Sequence, residues 1–167
     1  MQQARVDTRS VLFTDLVDST HLRAQLGVEG ADALRRRHDE LLTRLIAMHR
    51  GEVVKGLGDG LMATFASAAD AVAASVAIQQ AVHHESFEVR LGLSIGDVSI
   101  EDGDVFGVAV VQASRLCATA VANEILAADL VRTLAGTRNG YAFEPTGELE
   151  LKGLPEPVTT VRIVWEA

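Results

Sequence analysis

Apolar and polar positions fall into blocks along the chain, and the period changes from block to block. Residues 10–16 (SVLFTDL) form a short apolar run that ends on Asp15 and Leu16, as a central strand does. Asp18, Ser19 and Thr20 follow and offer N-caps for a helix. Over 29–50 the apolar positions Ala31, Leu34, Leu41, Leu42, Leu45, Ile46 and Met48 repeat with a helical period, and Gly51 is a natural stop. Residues 52–55 and 61–65 flank Gly56-Leu57-Gly58-Asp59-Gly60, which predicts a hairpin with a glycine-rich tip. Ser67 caps an Ala-rich helix that runs to His84. Over 87–98, Val89, Leu91, Leu93 and Ile95 alternate with Arg90, Gly92, Ser94 and Gly96, the period of a strand. Residues 101–107 read as an acidic turn, 108–122 as a segment ending in helix, and 124–126 as a short strand. Residues 128–134 read as a helix stopped by Gly136, and 141–151 with 158–165 as a terminal strand pair. The order is β-α-ββ-α-β-α-β-α-ββ. The strand pair at 52–65 rules out simple βαβ repetition. The pattern predicts an α+β sandwich with a mainly antiparallel sheet and helices packed against it.

Length and composition narrow this further. The 167 residues read as a single domain, 1–167, with 1–9 as an N-terminal extension. Hydrophobic residues make up 48% and charged residues 23%, enough to bury a core. The net charge of -8 argues against bulk attraction to nucleic acid or to an anionic membrane. No apolar stretch is long enough to span a bilayer. A cytoplasmic domain is expected, alone or as a module of a longer, membrane-attached chain. The lone Cys117 excludes an intrachain disulfide and reads as a small core residue. The five histidines (His21, His38, His49, His83, His84) lack metal-ligand spacing and lie on polar helix stretches, which predicts surface positions. Of 15 basic residues only Lys55 and Lys152 are lysine, and Gly follows each.

Several residues could carry chemistry. Asp15 ends a strand and Asp59 sits on a glycine-rich tip. From neighbouring strands the two could share a divalent cation, Mg²⁺ or Mn²⁺, or they could simply be turn formers. Ser19 and Thr20 open a helix whose free N–H groups suit a phosphate, or they only cap it. Arg115 stands among small and apolar residues and needs a partner, a carboxylate of the fold or a ligand anion.

Taken together, five segments resemble a known family. They are Phe13-Thr14-Asp15-Leu16-Val17-Asp18-Ser19-Thr20, Gly51 through Asp59-Gly60, Asp104-Val105-Phe106-Gly107, Ala113-Ser114-Arg115-Leu116 and Leu151-Lys152-Gly153. In this order, over almost the whole chain, they are similar to the class III nucleotidyl cyclase catalytic domain, in particular the actinobacterial adenylate cyclase type.

The resemblance implies a ferredoxin-like α/β sandwich working as a head-to-tail homodimer, with active sites at the interface. It implies conversion of ATP to 3′,5′-cyclic AMP and pyrophosphate with two divalent cations. Asp15 and Asp59 would hold those cations, helped by the Leu16 carbonyl. Val17, Asp18, Ser19 and Thr20 would hold the triphosphate through backbone N–H groups. Lys55 and Asp104, from the other subunit, would read the adenine edge. Arg115 would stabilise charge at the α-phosphate and Lys152 would pair with the β- and γ-phosphates. One position departs from the pattern: the family usually places an Asn four residues before the Arg, and here Val111 stands there. Gln112 is adjacent and could substitute if the helix shifted. A slow cyclase is expected, because losing one transition-state donor costs ~10²–10³ in rate. The alternative is a nucleotide-binding regulatory or partner domain with little catalysis.

Overall fold

The computed structural model describes residues 3–166. Eight strands build one sheet: β1 (Arg5–Leu16), β2 (Glu52–Gly56), β3 (Leu61–Phe65), β4 (Val89–Glu101), β5 (Asp104–Phe106), β6 (Ile125–Ala128), β7 (Phe143–Leu149) and β8 (Val158–Ile163). The helices are α1 (Ser19–Met48), α2 (Ala68–Val82), α3 (Val108–Thr119) and α4 (Asp129–Ala135). The strand order is β2-β3-β1-β4-β6-β8-β7, with β5 paired to β4. The first half is a βαββαβ unit in which β2–β3, β3–β1 and β1–β4 are all antiparallel, the ferredoxin-like arrangement. Only β4–β6 is parallel.

Strand alternation divides the core between two faces. Leu12, Ala63, Phe65, Leu91 and Leu93 point to one face, where they meet Leu42 and Ile46 of α1, most of α2, and Val131 of α4. Val11, Met62, Val98 and Val105 point to the other, where Ala109 and Ala113 of α3 cover them. That helix lies very close to the sheet. A Cβ at Gly92 would stand 2.2 Å from the Cys117 nitrogen and 2.5 Å from the Ala113 carbonyl oxygen, so only glycine fits there. No helix among the described residues is long and apolar enough to cross a membrane.

The elements depart from expectation in four places. Strand β1 begins at Arg5, where it already pairs with Ile100, so Arg5 to Arg9 belong to the sheet and do not precede it. Residues 1 and 2 of that expected extension lie outside the described residues. The N-caps offered at 18–20 and the helical period over 29–50 belong to one element, broken only where Gly27 takes φ 71° and ψ -179°. Part of the acidic turn is strand β5. His38 is buried, not on the surface. It lies four residues from both Leu34 and Leu42, on the apolar stripe of α1, and meets the Phe87 ring edge-on at 5.6 Å. Its Nδ1 is 2.8 Å from Asp39 Oδ1.

Candidate active site

Backbone contacts bring the two aspartates together. The Leu16 N–H donates to the Asp59 carbonyl at 2.7 Å, and the Leu61 N–H donates to Thr14 Oγ1 at 2.9 Å. Between them, a Cβ at Gly60 would stand 1.7 Å from the Thr14 carbonyl oxygen. The hairpin tip is thus seated on the end of β1, which sets the Asp59 backbone against the residue that follows Asp15. Ser19 Oγ donates to Asp59 Oδ2 at 2.8 Å, and Arg23 reaches Oδ1 at 3.8 Å. Among the described residues no cluster of three or more His, Cys, Asp or Glu forms. Two carboxylates are too few for an all-protein cage. They match the donor set of Mg²⁺ or Mn²⁺, hard ions that keep waters and take substrate phosphates as further ligands.

Helix α1 starts at this point. Its N-cap, Asp18, has φ 53° and makes no side-chain cap, so first-turn N–H groups stay uncapped. Asp18, Ser19 and Thr20 therefore match the expected anion-binding backbone. Val17 does not: its N–H already donates to the Glu88 carbonyl at 2.9 Å.

Lys55 and Asp104 form an ion pair, with Nζ 3.0 Å from Oδ2. A bulge in β2 makes the pairing geometrically available. Val53 pairs with Ala63, but Lys55 pairs with Met62, leaving Val54 unmatched. The extra residue turns Lys55 onto the face of Met62, where α3 and β5 lie. The Val105 N–H first, and the Lys55 ammonium second, hold the Asp104 carboxyl below its ordinary value of 3.8.

Val111 and Arg115 are four residues apart on α3 and share one face. Val111 is exposed, and its Cγ1 lies 4.0 Å from where a Gly153 Cβ would stand. Arg115 is exposed too, and its partner is neither a carboxylate nor an anion: Nε donates to the Lys152 carbonyl at 3.0 Å. Its terminal nitrogens have no recorded partner among the described residues. Arg115 and Lys152 are thereby brought to one place, anchored below by Leu151 and Leu116 in a shared apolar cluster. Gln112 does not join them. It points a quarter-turn away, where its Oε1 accepts from Ser94 Oγ, so it is not placed to stand in for the missing Asn. Cys117 is buried, and burial first and the Asp15 charge second push its thiol up to about 12, which leaves it inert.

Arg90 is the residue that sequence reading missed. It faces Asp15 across the sheet and donates to Oδ2 from Nε at 2.9 Å and Nη2 at 2.6 Å. The signal was present: a lone Arg between Val89 and Leu91 on a central strand needs a carboxylate partner. The cross-strand register that names the partner is not written in local sequence.

The recess beside Asp59, lined by Leu16, Ser19, Leu22, Arg23 and Asp32, holds only about 20 Å³. Larger cavities of 400–560 Å³ lie elsewhere and include neither Asp15 nor Asp59.

Comparison with known proteins agrees with this geometry. Residues 1–164 match the model of the adenylate and guanylate cyclase catalytic domain. An adenylate cyclase of Streptomyces coelicolor is 32% identical over 136 residues, 77% of this chain. The crystal structure of an adenylate/guanylate cyclase/hydrolase from Silicibacter pomeroyi superposes with a TM-score of 0.84 at 31% identity, covering 97% of this chain and 99% of that one. The adenylyl cyclase CyaB from P. aeruginosa shares the fold, with a TM-score of 0.82 at 22% identity over 98% and 96% of the two chains. The chain spans well under half the length of the curated relatives it matches, 36% of the Streptomyces one. On the match over 1–164, the chain belongs to the adenylate and guanylate cyclase catalytic domain family, the class III nucleotidyl cyclases.

Proposed function

We propose that this domain is an adenylate cyclase, forming 3′,5′-cyclic AMP and pyrophosphate from ATP at a site shared by two copies of the chain. The observation that carries this reading is the seating of Asp59 beside Asp15 at the uncapped start of α1. Carboxylates for cations and N–H groups for phosphate then meet at one point. In the reaction the ribose 3′-oxygen bonds to the α-phosphorus, the bond to the bridging oxygen breaks, pyrophosphate leaves with the electron pair, and the hydroxyl proton is lost. Two divalent cations, held by Asp15, Asp59 and the Leu16 carbonyl, would lower the pKa of that hydroxyl and clamp the phosphoryl group. The backbone of Asp18, Ser19 and Thr20 binds the triphosphate. Arg115, exposed and held through its Nε, meets charge growing at the α-phosphate, and Lys152 meets the β- and γ-phosphates.

The base preference follows from donors and acceptors. Lys55 only donates and ionised Asp104 only accepts. Adenine offers a ring-nitrogen acceptor and an amino donor, whereas guanine reverses that pattern, so the pair favours ATP over GTP. The small recess beside Asp59 supports a site completed by a second copy of the chain, since nucleotide pockets run to about 300–1,000 Å³, and head-to-tail pairing is what the family resemblance implies. A cytoplasmic location fits the chemistry, because ATP is its substrate.

Val111 favours a second reading, a nucleotide-binding partner domain with weak catalysis. It puts an apolar side chain on the face of Arg115 where the family pattern places a hydrogen-bonding Asn. Cyclic nucleotide formation from ATP and GTP, with Mn²⁺ or Mg²⁺ and over a range of protein concentrations, separates the two. Slow, metal-dependent cyclic AMP formation that rises more than linearly with protein is expected. Nucleotide binding without product would leave only the second reading.

A further inference from the structure

Arg90 makes contacts in two directions. Two of its nitrogens grip Asp15 Oδ2, while Nη1 donates to the Ala118 carbonyl at 2.9 Å and reaches that of Ala120 at 3.5 Å. Those carbonyls end α3, where the helix dipole is negative and favours a cation. The guanidinium is therefore held from behind. It cannot leave Asp15 by a simple swing without also giving up its hold on α3. The ion pair is only partly open to water, with side-chain exposures of 31% for Arg90 and 34% for Asp15. The other basic side chain nearby, Arg23, turns to Asp59 and stands farther off.

We propose that Arg90 sets the cation affinity of Asp15. The guanidinium takes up one carboxylate oxygen, and its charge opposes a divalent cation at the other. Two cations shared by only two carboxylates need the oxygens of both residues, so full occupancy requires Arg90 to release Oδ2. Asp15 is thus a guarded ligand, and Arg90 is a positioning residue that acts through it. The inference rests on the proposed role of Asp15 as a cation ligand, and the test keeps the two claims apart.

The test is Mn²⁺ binding to the nucleotide-free protein, read from the electron paramagnetic resonance signal of free Mn²⁺. Arg90→Gln keeps a donor for Ala118 and loses the charge; it is expected to bind Mn²⁺ about fivefold more tightly, the scale of a partly exposed ion pair. Arg90→Lys keeps the charge but not the two-nitrogen grip, and about twofold tightening is expected. Arg23→Gln removes a charge 3.8 Å from Asp59 on a mostly exposed side chain, and is expected to tighten binding by less than twofold. Equal affinity in the wild type and both Arg90 variants would overturn the assignment, as would equal tightening by Arg23→Gln. Asp15→Asn should abolish the binding. Undiminished Mn²⁺ binding in Asp15→Asn would instead overturn the cation-ligand role of Asp15 itself.

Discussion

The proposed cation end and the proposed base-reading end of the site are built in different ways. At the cation end, backbone fixes the geometry. Gly60 lies against the Thr14 carbonyl, Leu16 bonds to Asp59, and Arg90 crosses from β4 to Asp15. At the base-reading end a single exposed ion pair, Lys55 with Asp104, joins a bulged strand to a short hairpin. The backbone of the first region cannot shift without disturbing the sheet. The second can change and leave the fold intact. On the proposed reading, the cation end is tied to the backbone of the sheet, while base preference would be carried by side chains that the fold does not need.

The largest effect should fall on activity at the cation end. Asp15→Asn keeps the shape and removes the charge, and cyclic AMP formation should fall ~10²–10³-fold. The comparison sharpens with Gly60→Ala, whose new Cβ has no room beside Thr14. It should lose about 3 kcal/mol in chemical denaturation, the upper range for overpacking. Gly56→Ala, four residues earlier on the same hairpin with nothing within 4 Å of its Cβ, should stay within about 0.5 kcal/mol. Equal losses at both glycines would break the contrast. Lys55→Ala should shift the ATP-over-GTP preference by about tenfold, the scale of one charged hydrogen bond, with unfolding barely altered.

The smallest effect is a titration. The folded Asp104 carboxyl lies below 3.8, with the Val105 N–H as the leading cause. A depressed folded value stabilises the fold above the unfolded pKa, and that contribution is lost as pH falls through the folded one. An NMR titration of Asp104 should therefore show a midpoint under 3.8. Lys55→Ala should raise that midpoint only in part, because the Val105 contact remains.

Sequence patterning reached the order of elements apart from β5, because most strands and helices carry their own period. It missed the first half of β1, where Arg5, Asp7 and Arg9 pair with one another on one face and leave no apolar alternation to read. It missed the burial of His38, a polar residue set on an apolar stripe. In the site, Asp15 and Asp59 stood out as carboxylates at a strand end and a glycine-rich tip, while the pairing of Lys55 with Asp104 came only from the family resemblance. The grip of Arg90 on Asp15 and the turn of Gln112 toward Ser94 depend on register and on helix rotation, which no local spacing records.

The shared site is the central claim, and complementation tests it most directly. Lys55→Ala and Asp59→Ala proteins are purified, mixed, and assayed for cyclic AMP from ATP, with dimer formation checked in the same samples. If Lys55 and Asp59 serve opposite sites, each variant alone lacks one group at both of its sites, Asp59→Ala leaving little activity and Lys55→Ala about a tenth. The equimolar mixture should recover about a quarter of wild-type activity, since half the dimers are mixed and each keeps one intact site. Mixed dimers that form and yield no more cyclic AMP than either variant alone would contradict it.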